Sequence, residues 1–290
     1  MPSTDLFKVS IIVPSYNHAA YLLQRLDSIL AQTYQHFELI ILDDASPDNS
    51  REIIEPYREH PKVSHIIYNK TNSGTTFRQW DRGIQLAGGS LVWIAESDDW
   101  CEPAFLETIV QGFRANPHCV LGYTQAYAVN NEGDILWQSS HNKLSDQMDG
   151  KAYVYQYLGR SNTIFNASMA VFKRDAFYAV SKDYLSYRFS GDWLFWTEIA
   201  RQGDVFISGR LLSYFRNHEA DVSGKAYASG LNYLEDLRVW AALRKDRLID
   251  EPLYKEVLVK KYAAFVEAKP FLAAALGEKI EQLFMASGCI

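Results

Sequence analysis

The segment Val9-Ser-Ile-Ile-Val-Pro-Ser-Tyr-Asn17 opens the first recognisable element of the chain. Its β-branched run from Val9 to Val13 is typical of a strand covered on both faces, and Pro14 ends that run. Apolar residues then recur at helical spacing, and a second apolar run extends from Phe37 to Leu42. A strand, a helix and another strand in this order predict two parallel strands joined by a crossover helix.

The same alternation continues outward along the chain. The patterns predict a helix, a strand, a helix and a strand over Arg51 to Glu59, Val63 to Tyr68, Thr75 to Ala87 and Leu91 to Ala95. Four strands alternating with helices predict an α/β fold with a doubly wound, mostly parallel sheet.

After Trp100 the alternation becomes irregular. A helix is expected from about Pro103 to Ala115. The pattern then predicts a hairpin formed by Cys119 to Val129 and Asp134 to Gln138. Beyond Ser223 the sequence is helical and charged, which predicts a helical C-terminal extension.

Composition excludes several classes of protein. The 290 residues are 48% hydrophobic and 14% aromatic, enough for a substantial core, and the net charge of −6 comes without the basic stripe that nucleic acid requires. Three widely spaced cysteines suggest no disulfide framework, and no signal-peptide pattern or membrane-spanning apolar stretch is seen. We therefore expect a cytoplasmic protein without a nucleic-acid partner, with a position at the inner face of the membrane as the alternative.

Three loops should lie together at one edge of the sheet. Ligands of doubly wound sheets bind beyond the carboxyl ends of the strands. The segments expected there are Pro14 to His18, Asp43 to Asn49 and Glu96 to Trp100.

The last of these loops contains three carboxylates within four residues, Glu96-Ser-Asp-Asp99. Such crowding is unfavourable without a cation, and Mg²⁺ commonly uses one or two carboxylates together with substrate phosphates. A solvated turn that caps the helix near Pro103 is the alternative.

Asp44 and Tyr16 are candidates for contact with a nucleotide base. The Asp44 carboxylate can accept the ring N–H of a base, and the Tyr16 ring can stack on it. An Asx turn for Asp44 and a tyrosine at the edge of the core for Tyr16 are the alternatives.

Taken together, five segments resemble those of family 2 glycosyltransferases, which have the GT-A fold. The resemblance covers about the first 220 positions. The matching segments are Val9 to Asn17, Ser28-Ile-Leu-Ala-Gln-Thr-Tyr34, Phe37-Glu-Leu-Ile-Ile-Leu-Asp-Asp-Ala-Ser46, Glu96 to Asp99, and Ser190-Gly-Asp-Trp193.

The resemblance implies a role for each matching residue. It implies that Asp44 binds the nucleotide base and that Asp192 is the general base of catalysis. It further implies a nucleotide site that includes Pro14, Tyr16, Asp44 and Asp98, and a metal site drawn from Glu96, Asp98, Asp99 and His218. Arg78, in the helix after Asn72-Ser-Gly74, is a further candidate for contact with phosphate in the nucleotide site. The family often has Asp where this chain has Glu96, which leaves open which carboxylate of the cluster reaches the metal.

Asp192 can also be reached from the local pattern, because it lies at the start of a predicted helix that extends to Ala200. That position favours an ionised carboxylate, which suits a general base and equally suits a simple cap. The alternative for Arg78 is a position on a solvated helix face without contact to phosphate. For His218 the alternative is a structural role, because a lone histidine is more often structural than a metal ligand.

The implied activity is inverting transfer of a sugar from a nucleoside-diphosphate sugar, with a UDP-sugar favoured, to a hydroxyl of a saccharide or lipid-linked saccharide. Mg²⁺ or Mn²⁺ would be the cofactor, and surface polysaccharide synthesis the setting. An inactive sugar-nucleotide or protein-binding module is the alternative. A nucleotidyltransferase is disfavoured because the loop from Pro14 to His18 has no Gly, Lys or Arg to hold a triphosphate.

We expect residues 1–220 to form the GT-A domain, with 1–100 as its nucleotide-binding half and 101–220 as its acceptor half. Residues 221–290 form the helical extension, whose apolar side chains should pack on this domain or on a protein partner. A peripheral membrane contact through these helices is less favoured, because acidic residues are interleaved with the basic ones.

Overall fold

A computed structural model describes residues 7–217 and 222–288 of the chain. These residues form ten strands, β1 to β10: Val9–Ser15, Phe37–Asp43, Val63–Tyr68, Leu91–Ile94, Trp100–Cys101, Cys119–Val129, Ile135–Gln138, Ser145–Asp149, Ala170–Lys173 and Asp204–Arg216. They also form eleven α-helices, α1 to α11: Ala19–Leu30, Ser50–Ile54, Thr76–Leu86, Phe105–Ala115, Gly150–Tyr153, Arg174–Phe177, Gly191–Ala200, Val222–Ser229, Leu231–Lys245, Glu251–Ala268 and Ala274–Ala286.

One mixed sheet runs through the described residues, in the order β3-β2-β1-β4-β9-β6-β10-β5. The first four strands are parallel, as predicted. Beyond β4 the sheet is mixed, because β9 is antiparallel to both of its neighbours while β6 and β10 are parallel. The predicted hairpin is present as β6 and β7, and β8 pairs with β10. The doubly wound α/β fold is confirmed, with its parallel strands concentrated in the N-terminal half.

Alternate residues of the central strands enter two different cores. Ile11 of β1 packs in a cluster with Leu26 of α1 and Ile109 of α4. Its neighbour Ile12 packs in a second cluster with Trp80 of α3. Because successive strand residues point to opposite faces, helices cover the sheet on both sides.

The C-terminal helices belong to the second of these cores. Leu237 of α9, Phe265 of α10 and Phe284 of α11 are buried in it. The indole rings of Trp193 in α7 and Trp240 in α9 meet edge to face at 5.2 Å. The extension therefore packs on the α/β part of the chain, and none of the described helices is both long enough and apolar enough to cross a membrane. The predicted boundary at residues 220 and 221 lies outside the described residues.

Some element bounds differ from those expected. Strand β1 continues through Pro14 to Ser15, which pairs with Asp43 of β2. Helix α2 ends at Ile54 and gives way to a 3-10 turn, because Pro56 has no backbone N–H with which to continue the α-helical hydrogen bonds.

Candidate functional site

The predicted loops meet at one edge of the sheet around a cavity of about 1530 Å³. The parallel register brings the ends of β1, β2 and β4 side by side, which places their following residues at this edge. Six of the predicted site residues line the cavity: Pro14, Tyr16, Asp44, Glu96, Asp98 and Asp192. This volume exceeds the usual range for small-molecule pockets, so there is room for more than one ligand.

The loop after β1 presents an aromatic face to the cavity. The Tyr16 side chain is 47% exposed, as a residue that stacks on a ligand must be. Asn17 adopts a positive φ of 57°, and its backbone N–H donates to Ser46 Oγ at 3.0 Å. That bond ties the loop after β1 to the loop after β2.

Asp44 organises the second loop from within the protein. Its buried carboxylate accepts hydrogen bonds from Asn69 Nδ2 at 2.5 Å, Ser73 Oγ at 2.7 Å and Gln79 Nε2 at 2.9 Å. The Ser73 backbone N–H also donates to it, at 3.0 Å. Asp44 thus reaches the cavity as a side chain held by several donors, and its contact with a base stays a prediction.

The segment Glu96 to Asp99 forms an acidic turn, and its three carboxylates point in different directions. Glu96 accepts from Trp80 Nε1 at 2.8 Å, and Asp99 accepts from Ser168 Oγ at 2.6 Å. Asp98 lines the cavity with its Oδ1 3.8 Å from His18 Nδ1. In the described part of the chain, no three His, Cys, Asp or Glu side chains are grouped to hold a metal ion. Asp98 is therefore the carboxylate of the turn best placed to meet a ligand in the cavity.

A buried arginine lies behind this turn. Arg25 donates from Nε to the Glu96 carbonyl oxygen at 3.0 Å and from Nη2 to Ser168 Oγ at 2.7 Å, and its guanidinium lies over the Trp93 ring. Ser168 in turn accepts from the Glu96 backbone N–H at 3.0 Å. Arg25 supplies positive charge that offsets part of the repulsion within the turn.

Carboxylate crowding changes the protonation of the turn. Burial, reinforced by the negative charge of Asp98, raises the pKa of Glu96 to about 8. The same two causes raise the pKa of Asp99 above its usual range. Such shifts are expected where like charges share a poorly hydrated site, and a cation would reverse them.

Asp192 lies in the first turn of α7 and lines the same cavity. Its Oδ2 accepts from Asn162 Nδ2 at 2.9 Å, and its Oδ1 accepts from the Trp193 backbone N–H at 2.8 Å. Burial raises the pKa of Asp192 to about 7, against the lowering effect of both hydrogen bonds. The expected preference of the helix N-terminus for an ionised carboxylate is therefore outweighed by desolvation.

The residue before Asp192 has to be glycine for steric reasons. A Cβ on Gly191 would lie 2.6 Å from Phe77 Cε2 and 2.8 Å from the Tyr184 carbonyl oxygen. Helix α7 can therefore start close to α3 only without a side chain at this position.

The profile of the family described as glycosyl transferase family 2 matches residues 10–181, which is more than half of the chain. The chain belongs to glycosyl transferase family 2.

The chain is also similar to curated glycosyltransferases from bacteria. The chain is 29% identical over 147 residues to the glycosyltransferase GlyG of Streptococcus pneumoniae, covering 51% of this chain and 43% of that protein. It is 31% identical over 133 residues to the putative teichuronic acid biosynthesis glycosyltransferase TuaG of Bacillus subtilis, covering 46% and 52%. The aligned part is thus about half the length of these curated relatives.

The GT-A fold of the family is also found by structural comparison. Residues 1–349 of Staphylococcus aureus TarS, in complex with UDP-GlcNAc, align with a TM-score of 0.67 and 22% identity. The alignment covers 87% of this chain and 71% of the TarS chain. At this identity the similarity concerns the fold alone.

Two of the predicted residues, both in the described part of the chain, do not line the cavity. Asp99 is buried behind it, and Arg78 lies on an exposed face of α3. His218 lies outside the described residues. The neighbouring Arg216 is occupied within the protein, because its guanidinium bonds the Asp98 carbonyl at 3.1 Å and Gln24 Oε1 at 2.8 Å.

Several residues that hold the site together were not predicted from the sequence. Arg25, Asn162 and Ser168 contact site residues that are far away along the chain. Arg25 had a local signal, because its position on α1 falls beside the apolar stripe that faces the sheet. Asn162 lies in a loop without any pattern.

Proposed function

We propose that this chain transfers a sugar from a nucleoside-diphosphate sugar to an acceptor hydroxyl with inversion at the anomeric carbon. The observation that carries the proposal is the single cavity that brings Asp44, Asp98 and Asp192 together in a family 2 chain. In this proposal Asp192 deprotonates the acceptor, while the diphosphate leaves from the opposite face of the sugar. A pKa of about 7 suits a general base near neutral pH.

A UDP-sugar is the favoured donor. TarS, whose fold this chain shares, was solved with UDP-GlcNAc and with UDP. The exposed Tyr16 ring and the Asp44 carboxylate offer stacking and an acceptor for the uracil N–H. The inactive binding module is less favoured, because the carboxylates required for turnover reach the cavity.

The side chains of the acidic turn fit one divalent cation. Asp98 faces the cavity, and the raised pKa values of Glu96 and Asp99 indicate negative charge that a cation would offset. The described side chains supply few ligands, so the diphosphate oxygens would complete the coordination, as is common for Mg²⁺. When bound, the metal would stabilise the charge that develops on the leaving diphosphate. Mg²⁺ or Mn²⁺ is therefore the proposed cofactor.

Aromatic side chains support a saccharide acceptor. Trp137 and Phe165 line the cavity while 41% and 45% exposed, and their rings meet edge to face at 5.2 Å. Phe215 extends this surface, with its ring 5.3 Å from that of Trp137. Such rings offer flat apolar contact to the C–H face of a sugar, free or linked to a lipid carrier.

Calorimetry of UDP binding tests the nucleotide and metal parts of the proposal. We expect UDP to bind in the presence of Mg²⁺ or Mn²⁺ and to lose most of its affinity in EDTA. Asp98→Asn should reduce the metal-dependent affinity, whereas Asp175→Asn, which changes an exposed carboxylate of α6 outside the cavity, should not. Equal affinity with and without metal would rule out the cation.

Release of UDP from UDP-sugars tests the activity itself. Transfer should appear as UDP production that depends on Asp192 and yields a product of inverted configuration by NMR. Retained configuration would contradict the proposed role of Asp192.

A further inference from the structure

The segment that leads into Asp192 is held by the C-terminal extension. Helix α7 has Ser190 as its N-cap, but the Ser190 side chain makes no cap bond to the helix. The first amides of a helix and those just before it need other acceptors when they are shielded from water. For residues 188–190, just before α7, the acceptors come from α9.

A single carboxylate accepts from three consecutive backbone amides. Glu235 of α9 accepts from the N–H groups of Arg188 at 2.9 Å, Phe189 at 2.8 Å and Ser190 at 2.8 Å. The Glu235 side chain is buried, with 3% of its surface exposed. Charge-assisted bonds of this kind are stronger than neutral ones, so the path of residues 188–190 is fixed by α9.

The next residue of α9 continues the contact. Asp236 Oδ1 accepts from Ser190 Oγ at 2.7 Å, and Asp236 Oδ2 accepts from Lys261 Nζ of α10 at 2.6 Å. Asp236 and Lys261 also line the cavity that contains Asp192. Two helices of the extension are thereby linked to the residue that lies two positions before Asp192.

We infer that Glu235 and Asp236 are positioning residues for Asp192, and that the extension thereby completes the catalytic site. The inference rests on the proposed role of Asp192 as general base. Glu235 fixes the backbone that sets the direction of the Asp192 carboxylate, and Asp236 fixes Ser190 and places a negative charge near it. A base displaced by about 1 Å loses on the order of 10² in rate, which makes such fixation important for turnover.

The charges around Asp192 support the role of Asp236. Among the described residues, the groups that face Asp192 are the Asn162 amide, Tyr227 of α8 and Asp236 of α9, with Lys261 of α10 bonded to Asp236. Arg160 and Arg188 line the same cavity. The negative charge of Asp236 contributes to the raised pKa of Asp192, after the larger effect of burial.

Glu198 provides a matched control. It is a buried glutamate of α7 that accepts from the Ser181 backbone N–H at 2.6 Å and from Ser181 Oγ at 2.9 Å. It therefore holds a loop by the same chemistry, without contact to the segment before Asp192. A purely stabilising role for Glu235 predicts equal turnover for Glu235→Gln and Glu198→Gln.

The experiment compares UDP release from UDP-GlcNAc, UDP affinity and melting temperature for these two variants. We expect kcat of Glu235→Gln to fall by about 10²-fold with unchanged UDP affinity, because glutamine offers one acceptor oxygen to three amides. Glu198→Gln should keep the kcat of the parent protein. Equal kcat in the two variants would overturn the inference.

A second variant covers the case in which Glu235→Gln does not fold. Asp236→Asn retains an acceptor for Ser190 but removes the charge near Asp192. The pKa of Asp192 should fall, so the rise of kcat with pH should move to lower pH. An unchanged pH profile would show that Asp236 has no influence on the base.

Spectroscopy separates failure of the inference from failure of the proposed function. In ¹³C-aspartate-labelled protein, the Asp192 carboxyl signal can be assigned by comparison with Asp192→Asn and titrated without turnover. We expect its titration to change in Asp236→Asn and Glu235→Gln, but not in Glu198→Gln. Absence of UDP release from the parent protein would reject the activity, whereas unchanged titration in Asp236→Asn and Glu235→Gln would reject the positioning role.

Discussion

The protonation state of the Asp192 carboxyl group should control the rate of sugar transfer. Burial raises the pKa of Asp192 to about 7, so the carboxylate becomes the main form only as the pH rises through that value. We expect kcat to increase with pH and to level off above about pH 7, since only the carboxylate can accept a proton. Measurement of kcat for UDP release from about pH 5 to about pH 9, roughly two units on either side of pH 7, checks this expectation.

Asp192→Asn should separate the chemical role of this residue from its structural role. The asparagine keeps the size of the side chain and an acceptor for the Trp193 N–H, so fold and UDP affinity should survive while kcat falls by about 10² to 10⁴-fold. Asp192→Ala should in addition lose about 1 kcal/mol of stability, because it also removes the side-chain acceptor of the Trp193 N–H. A rate near that of the parent protein in Asp192→Asn would assign the base to another carboxylate.

The same substitution has a pH-dependent effect on stability. The pKa of Asp192 is raised on folding, so the aspartate favours the folded state below its unfolded pKa and loses that contribution as the pH rises to about 7. The stability of Asp192→Asn relative to the parent protein should therefore increase between acidic and mildly alkaline pH. Urea titrations of both proteins at an acidic and at a mildly alkaline pH measure this difference in the free energy of unfolding.

Site residues that lie at strand ends could be predicted from the sequence, whereas those joined by tertiary contacts could not. Asp44 and Asp98 follow apolar strands, and this position alone places them at the edge of the sheet. Ser168 contacts Arg25 and Asp99 only after β4, β9 and α1 have packed together. No local pattern encodes that meeting.

At the level of elements, the start of α7 depends on close packing against α3. Gly191→Ala would place a Cβ 2.6 Å from Phe77 Cε2 and should destabilise the protein by about 1–3 kcal/mol. Gly277 of α11 is the control, since a Cβ there meets only Lys269, at 3.4 Å or more, and alanine favours a helix by up to about 1 kcal/mol. Thermal denaturation of the two variants should shift in opposite directions.

Several elements were predicted closely. The strands Val63–Tyr68 and Cys119–Val129 and the helix Gly191–Ala200 have the expected bounds. Strand β8, Ser145–Asp149, was not predicted, because it lies largely exposed and has no apolar alternation. It becomes a strand by pairing with β10, a partner that the local sequence does not specify.

At the level of the whole molecule, the extension and the α/β part should unfold together. Trp240 of α9 is buried, stacks edge to face on Trp193 and donates from Nε1 to the Gly159 carbonyl at 3.0 Å. Trp240→Ala should cost about 3–5 kcal/mol and lower the melting temperature of a single transition. Two separated calorimetric transitions, with only one of them shifted, would instead indicate an independent helical domain.

The pairing of β5 with β10 has a consequence for the order of folding. These strands join Trp100 and Cys101 to Ser213 and Tyr214, so this edge of the sheet stays open until β10 has been synthesised. The four parallel strands at the other end can assemble much earlier, at a ribosomal rate of about 5–20 residues per second. Contacts between such distant positions carry a large entropic cost of loop closure, which slows their formation. The nascent chain should therefore pass through a state in which the sheet is incomplete and one edge lacks its hydrogen-bond partners. A chaperone would act mainly on this state.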